Sequence, residues 1–156
     1  MYQLPDVLIK ELILAAETDV NIFPAGWLVK LYVNNLTPTK NNVVADFTEL
    51  TNVEVPGYAA VAGAWNGAPV RKQDGSWEDQ GAAPIQFAAT GPPPAPQIVY
   101  GWFATNAAGT VLIGSGKFAA AFTFTATGDG FDLEQVFNVL QLTGTTYQVL
   151  LDMEQE

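Results

Sequence analysis

From Gly26 onward, the hydrophobic residues fall into short runs separated by Gly, Pro, Asn and Thr. The runs are rich in Val, Ile, Phe, Tyr and Thr, which favour strands, whereas the separators favour turns. In one run, Phe122 and Phe124 alternate with Thr123 and Thr125, the two-residue period of a strand with one buried face. The pattern predicts an all-β, antiparallel domain with strands at 27–34, 43–47, 59–62, 85–89, 97–104, 111–118, 122–126 and 133–140.

Turn residues predict how several of these strands connect. The sequence NAAG at 106–109 lies between two strand-like runs and predicts a hairpin. GDG at 128–130 predicts a further turn, and the last segment predicts a strand pair turning at Thr143-Gly144 before an acidic, frayed tail. The polar stretch 65–81 contains Asn-Gly and Asp-Gly dipeptides and predicts a loop insert.

The N-terminus has a helical period. Leu4, Leu8 and Leu12 recur every four residues, and Pro5 suits a helical first turn. We predict one amphipathic α-helix or arm at residues 1–20, followed by the β-domain at residues 21–156, with the chain forming a single domain overall. The helix packs either on a partner subunit or over the open end of its own sheet. We favour the second arrangement because domain layers usually close in this way.

The charge balance bears on the class of partner. Sixteen acidic residues against six basic ones give a net charge of −10, and Arg71-Lys72 is the only adjacent basic pair. Phosphate-rich partners are bound through clustered Lys and Arg. We therefore expect neither nucleic acid nor a membrane as a partner, and we interpret isolated lysines such as Lys30 and Lys117 as solvated.

The residue types present exclude most catalytic chemistry. Without Cys or His, the chain lacks thiolate nucleophiles, Ser-His-Asp arrangements and imidazole metal ligands. The acids at 129, 132 and 134 lack the full spacing of a calcium loop, so we interpret them as a turn with solvated carboxylates. The acids at 74, 78 and 79 beside Trp77 resemble a glycosidase pair only weakly. We therefore expect that the protein is not an enzyme and that it binds neither a metal nor a cofactor.

Two regions are candidates for contact with other molecules. Trp65 and Trp77 lie in the polar insert, where a Trp fills a core edge, anchors a subunit contact or stacks on a ligand, and we favour the first two. GPPPAPQ at 91–97 favours polyproline II. It is either a stiff connection between strands, which we favour, or a ligand for an aromatic groove, and it also suits a place along a neighbouring subunit. The candidate interface residues are Leu8, Leu12, Trp65, Trp77, Pro93 and Pro94.

Three segments carry a family resemblance. LYVNNLTPT (31–39), VVADFTELTNVEVPGYA (43–59) and VYGWFATNAAGTVLIG (99–114) occur in this order. They resemble a signature of small virion proteins of tailed bacteriophages, "xLFxNxxTPT", "VLADFTEAxFxGYA" and "YGYFVTDAxGxLL". The resemblance extends over about three-quarters of the chain, although the match of any one segment alone is weak. The chain departs from the family pattern at the insert 52–56 and at the loop 65–81. The residues that match the signature are Thr37, Pro38, Asp46, Phe47, Gly57, Tyr58, Tyr100 and Gly101.

The resemblance implies a β-sandwich or barrel-like domain in a virion structural protein. The function we expect is a capsid decoration or cement protein that binds the major capsid protein or other virion proteins on the outer surface of the head. A homo-oligomer, with a trimer as first guess, is expected because small symmetric oligomers add valency. The alternatives are a tail, baseplate or fibre-attachment component, and a carbohydrate-binding β-sandwich with Trp65 or Trp77 as a stacking platform.

Overall fold

The computed structural model describes residues 27–39, 41–64, 70–71, 77–80, 83–143 and 146–155. Nine strands and one 3-10 turn, Val44–Asp46, lie within these residues. The strands are β1 (Leu28–Tyr32), β2 (Val61–Ala62), β3 (Val70–Arg71), β4 (Trp77–Gln80), β5 (Ile85–Ala88), β6 (Gln97–Thr105), β7 (Leu112–Phe124), β8 (Gly130–Thr143) and β9 (Thr146–Gln155). The described part of the chain is therefore all-β, as the hydrophobic pattern predicts.

The strands form two antiparallel sheets. The first sheet has the order β2-β1-β6-β7. In the second sheet, β8 is central: β5 and then β4 pair along one of its edges, β3 extends β4, and β9 pairs along the other edge. Because β8 is 14 residues long, this one strand pairs with β4 and β5 along one edge and with β9 along the other.

The predicted hairpin at 106–109 is confirmed as the connection between β6 and β7. The side-chain oxygen of Asn106 accepts hydrogen bonds from the amides of Thr110 and Val111 (2.8 and 3.1 Å), and Gly109 adopts a φ of 70°. Asn and Gly supply this turn because Asn bonds its own backbone and Gly tolerates positive φ.

The two strands predicted at 111–118 and 122–126 are one strand, β7. It is continuous but irregular: β6 advances two residues from Val99 to Gly101, whereas the paired positions Phe122 and Lys117 are five apart. The additional residues of β7 form a bulge, which bends a strand without ending it.

The larger core cluster combines residues of both sheets. Val29, Leu31, Trp102 and Phe124 come from the first sheet. Ile85, Phe87, Phe131 and Leu133 come from the second sheet, and in β5 the buried residues alternate with exposed ones. Both sheets thus bury one face in the same core, which is the main hydrophobic stabilisation of the fold.

Four other expectations from the sequence meet different outcomes. The strand predicted at 43–47 is wrong: the carboxylate of Asp46 accepts the amide of Val43 at 2.9 Å and folds the segment into the 3-10 turn. Residues 65–81 are not only a loop, since β3 and β4 lie there, and β9 continues to Gln155 where a frayed tail was expected. The predicted helix at 1–20 lies outside the described residues. Within the described residues, no helix has the length and apolarity that crossing a membrane requires.

Candidate functional site

The three segments that carry the family resemblance meet in the smaller cluster on the outer face of the first sheet, whereas Tyr58 is buried in the larger core beside Phe87. We call residues 33–60, which lead from β1 to β2, the crossover segment. Its Phe47 ring packs against Tyr32 of β1 and Phe103 of β6, with centroid distances of 5.2 and 5.0 Å. Leu36, Val44, Tyr100 and Leu112 complete this smaller cluster. Each of the three segments with the family resemblance therefore contributes to one packed unit.

Backbone hydrogen bonds fasten the crossover segment to the edge of β1. β2 pairs only with Leu28 and Val29, which leaves the rest of that edge open. The amide of Leu50 donates to the carbonyl of Leu31, and the amide of Val33 donates to the carbonyl of Thr48, both at 2.9 Å. An irregular segment thus satisfies backbone groups that a full strand would otherwise pair.

A buried tyrosine completes this attachment. The amide of Leu31 donates to the hydroxyl oxygen of Tyr58 at 3.0 Å, and the hydroxyl donates in turn to Glu49 at 3.4 Å. Glu49 also accepts a 2.8 Å hydrogen bond from the ammonium of Lys30. Burial raises the pKa of Tyr58 well above its ordinary value, so the phenol stays protonated and keeps its donor. The interpretation of Lys30 as solvated is wrong.

A second lysine binds the start of the crossover segment. The ammonium of Lys117 in β7 donates to Asn35 at 2.7 Å and to the hydroxyl of Thr37 at 3.3 Å. Thr37 is exposed and Pro38 is half-buried. The TPT motif thus lies beside β7, although Thr37 and Lys117 are 80 residues apart, and Lys117 remains exposed while it donates these hydrogen bonds.

Two glycines of the signature lie where a side chain would clash. Gly57 has a φ of 92°, and a Cβ there would meet the side chain of Thr90. A Cβ on Gly101 would meet the carbonyl oxygen of Gly116 and the ring of Tyr32. Gly57 therefore permits a left-handed turn, and Gly101 permits close approach of β6 to its neighbours.

Of the remaining candidate residues, the structure describes Trp77, Pro93 and Pro94. Leu8, Leu12 and Trp65 lie outside the described residues. Trp77 begins β4, where its backbone pairs with Val139 of β8. Pro93 is half-buried and Pro94 is exposed on the connection between β5 and β6. Sequence reasoning missed the Lys30–Glu49–Tyr58 network because its members are distant in the chain and individually ordinary.

The crossover segment lines a depression whose main polar groups make hydrogen bonds within the segment and to β1. A shallow depression of about 300 Å³ is lined by Glu49, Leu50, Thr51, Asn52, Tyr58, Ala59 and Ala60. Its main polar groups are already engaged: Glu49 with Lys30, Tyr58 with Leu31, and Asn52 with the amide of Gly57. These contacts hold the side chains of Glu49, Tyr58 and Asn52 in place around the depression.

The acidic turn after β7 is held by its own hydrogen bonds. The carboxylate of Asp129 accepts from the amides of Thr125 and Ala126 (2.6 and 2.8 Å) and from the Thr125 hydroxyl (2.9 Å). These donors, the Thr125 amide first, lower the pKa of Asp129. Among the residues that the structure describes, no group of three or more acids is placed to hold a metal ion.

Comparisons with models of known protein families, with curated proteins and with solved structures found no match to this chain.

Proposed function

We propose that this chain is a structural protein of a tailed-bacteriophage virion, and specifically a capsid decoration or cement protein. The observation that supports this most is the convergence of the three signature segments: Tyr32, Phe47 and Phe103 come from different segments and stack in one cluster. A shared scaffold would account for three segments that form one packed unit, and this packing supports the proposal.

For the fold, we infer a β-sandwich in which the larger core cluster lies between the two sheets. Two antiparallel sheets that bury their inner faces in one core are typical of sandwich packing. The presence of Leu31 and Trp102 from one sheet beside Phe87 and Leu133 from the other supports this arrangement. The predicted N-terminal helix or arm belongs to the same proposal, either over the open end of the sheets or on a neighbouring subunit.

The proposed mechanism is adhesion to the outer surface of the head. The crossover segment is rigid and carries acids at its surface, among them Asp46, while the aromatic rings that hold it are buried. A net charge of −10 suits an outer location, because a protein lining the genome would carry basic groups. Contacts with the major capsid protein and between copies of this chain would then stabilise the shell.

The test is co-sedimentation of the purified protein with phage heads that lack it. We expect saturable binding at a fixed copy number per capsomer and a higher temperature for head disruption. Binding to tails but not to heads would transfer the protein to the tail, baseplate or fibre attachment. Binding to neither would overturn the proposal. The glycan-binding alternative gains no support from the described residues, since the side chains it requires are not among them.

A further inference from the structure

We draw no further inference here: the strongest candidate, the group of acidic residues in the second sheet where Glu134 of β8 pairs with Glu154 of β9 and Val136 pairs with Asp152, is a cluster of acids for which no second observation among the described residues points to a ligand.

Discussion

The two faces of the first sheet are covered by different means. The inner face packs mainly against rings and aliphatic side chains from the strands of the second sheet, to which the crossover segment adds Leu50, Val55 and Tyr58. The outer face is covered by the crossover segment, which contains only one short 3-10 turn and depends on Phe47 and on hydrogen bonds to β1. The three segments that carry the family resemblance supply the residues of the outer cluster, so in this chain they fix an irregular segment to a sheet.

The comparison predicts the largest loss of stability from the inner cluster. Phe124 is 1% exposed and contacts the rings of Phe122 and Phe131. Phe124→Ala should lower the free energy of unfolding by about 3–5 kcal/mol, since it removes a buried ring and leaves a cavity. Thr123→Ala, on the exposed face of the same strand, should cost less than about 0.5 kcal/mol. Urea denaturation of both variants measures the difference, and equal losses would refute the assignment of the inner core.

A substitution in the outer cluster should destabilise mainly the crossover segment. Phe47→Ala should lower the free energy of unfolding by about 2–4 kcal/mol, because the Phe47 ring is buried between Tyr32 and Phe103. In hydrogen exchange, the amides of Val33 and Leu50 should lose protection while those of β6 retain theirs, since the crossover segment opens as a unit. Uniform loss of protection across both sheets would show instead that the two faces are not separable.

A smaller effect is expected from the hydroxyl that joins the crossover segment to β1. Tyr58→Phe leaves the amide of Leu31 without its acceptor and should cost about 1–2 kcal/mol. Tyr100→Phe is the matched control, because the hydroxyl of Tyr100 makes no hydrogen bond among the described residues, and it should cost less than about 0.5 kcal/mol. If thermal denaturation gives both variants the same stability, the Tyr58 attachment contributes nothing.

The smallest expected effect is on how much stability the protein loses at low pH. The Thr125 and Ala126 amides hold the pKa of Asp129 below its ordinary value of 3.8, and Asn42 with the Val43 amide does the same for Asp46. The stability from each ionised carboxylate is present above the unfolded pKa and is lost as the pH falls through the folded pKa. Asp129→Asn should therefore flatten the fall in melting temperature between about pH 5 and about pH 2. If the melting temperature of Asp129→Asn falls with pH as steeply as that of the wild type, the ionised Asp129 carboxylate does not cause the acid sensitivity.

Local signals predicted some elements of the fold and not others. The β6–β7 hairpin was predictable because NAAG specifies its own turn. The run 43–47 is rich in strand-forming residues, yet the local hydrogen bond of Asp46 prevails. β3 and β4 lack strand periodicity, and β4 forms because distant β8 provides its partner.

In the candidate site, the sequence indicated single residues but not the contacts between them. The sequence named Phe47 and Tyr58 among the residues that match the signature, and both are buried. It did not predict that Phe47 stacks on Phe103 or that Glu49 pairs with Lys30, because these contacts join residues far apart in the chain. Such pairings depend on the tertiary arrangement and leave no periodic signal in one sequence.

The most direct test of the central claim is electron cryomicroscopy of purified particles of a phage whose genome encodes this chain, if the proposal holds, with their protein composition measured in parallel. The account predicts this protein in the particle at a fixed copy number, and density on the outer surface of the head that fits two antiparallel sheets with the crossover segment. Particles that lack the protein, or heads without such density, would contradict the account.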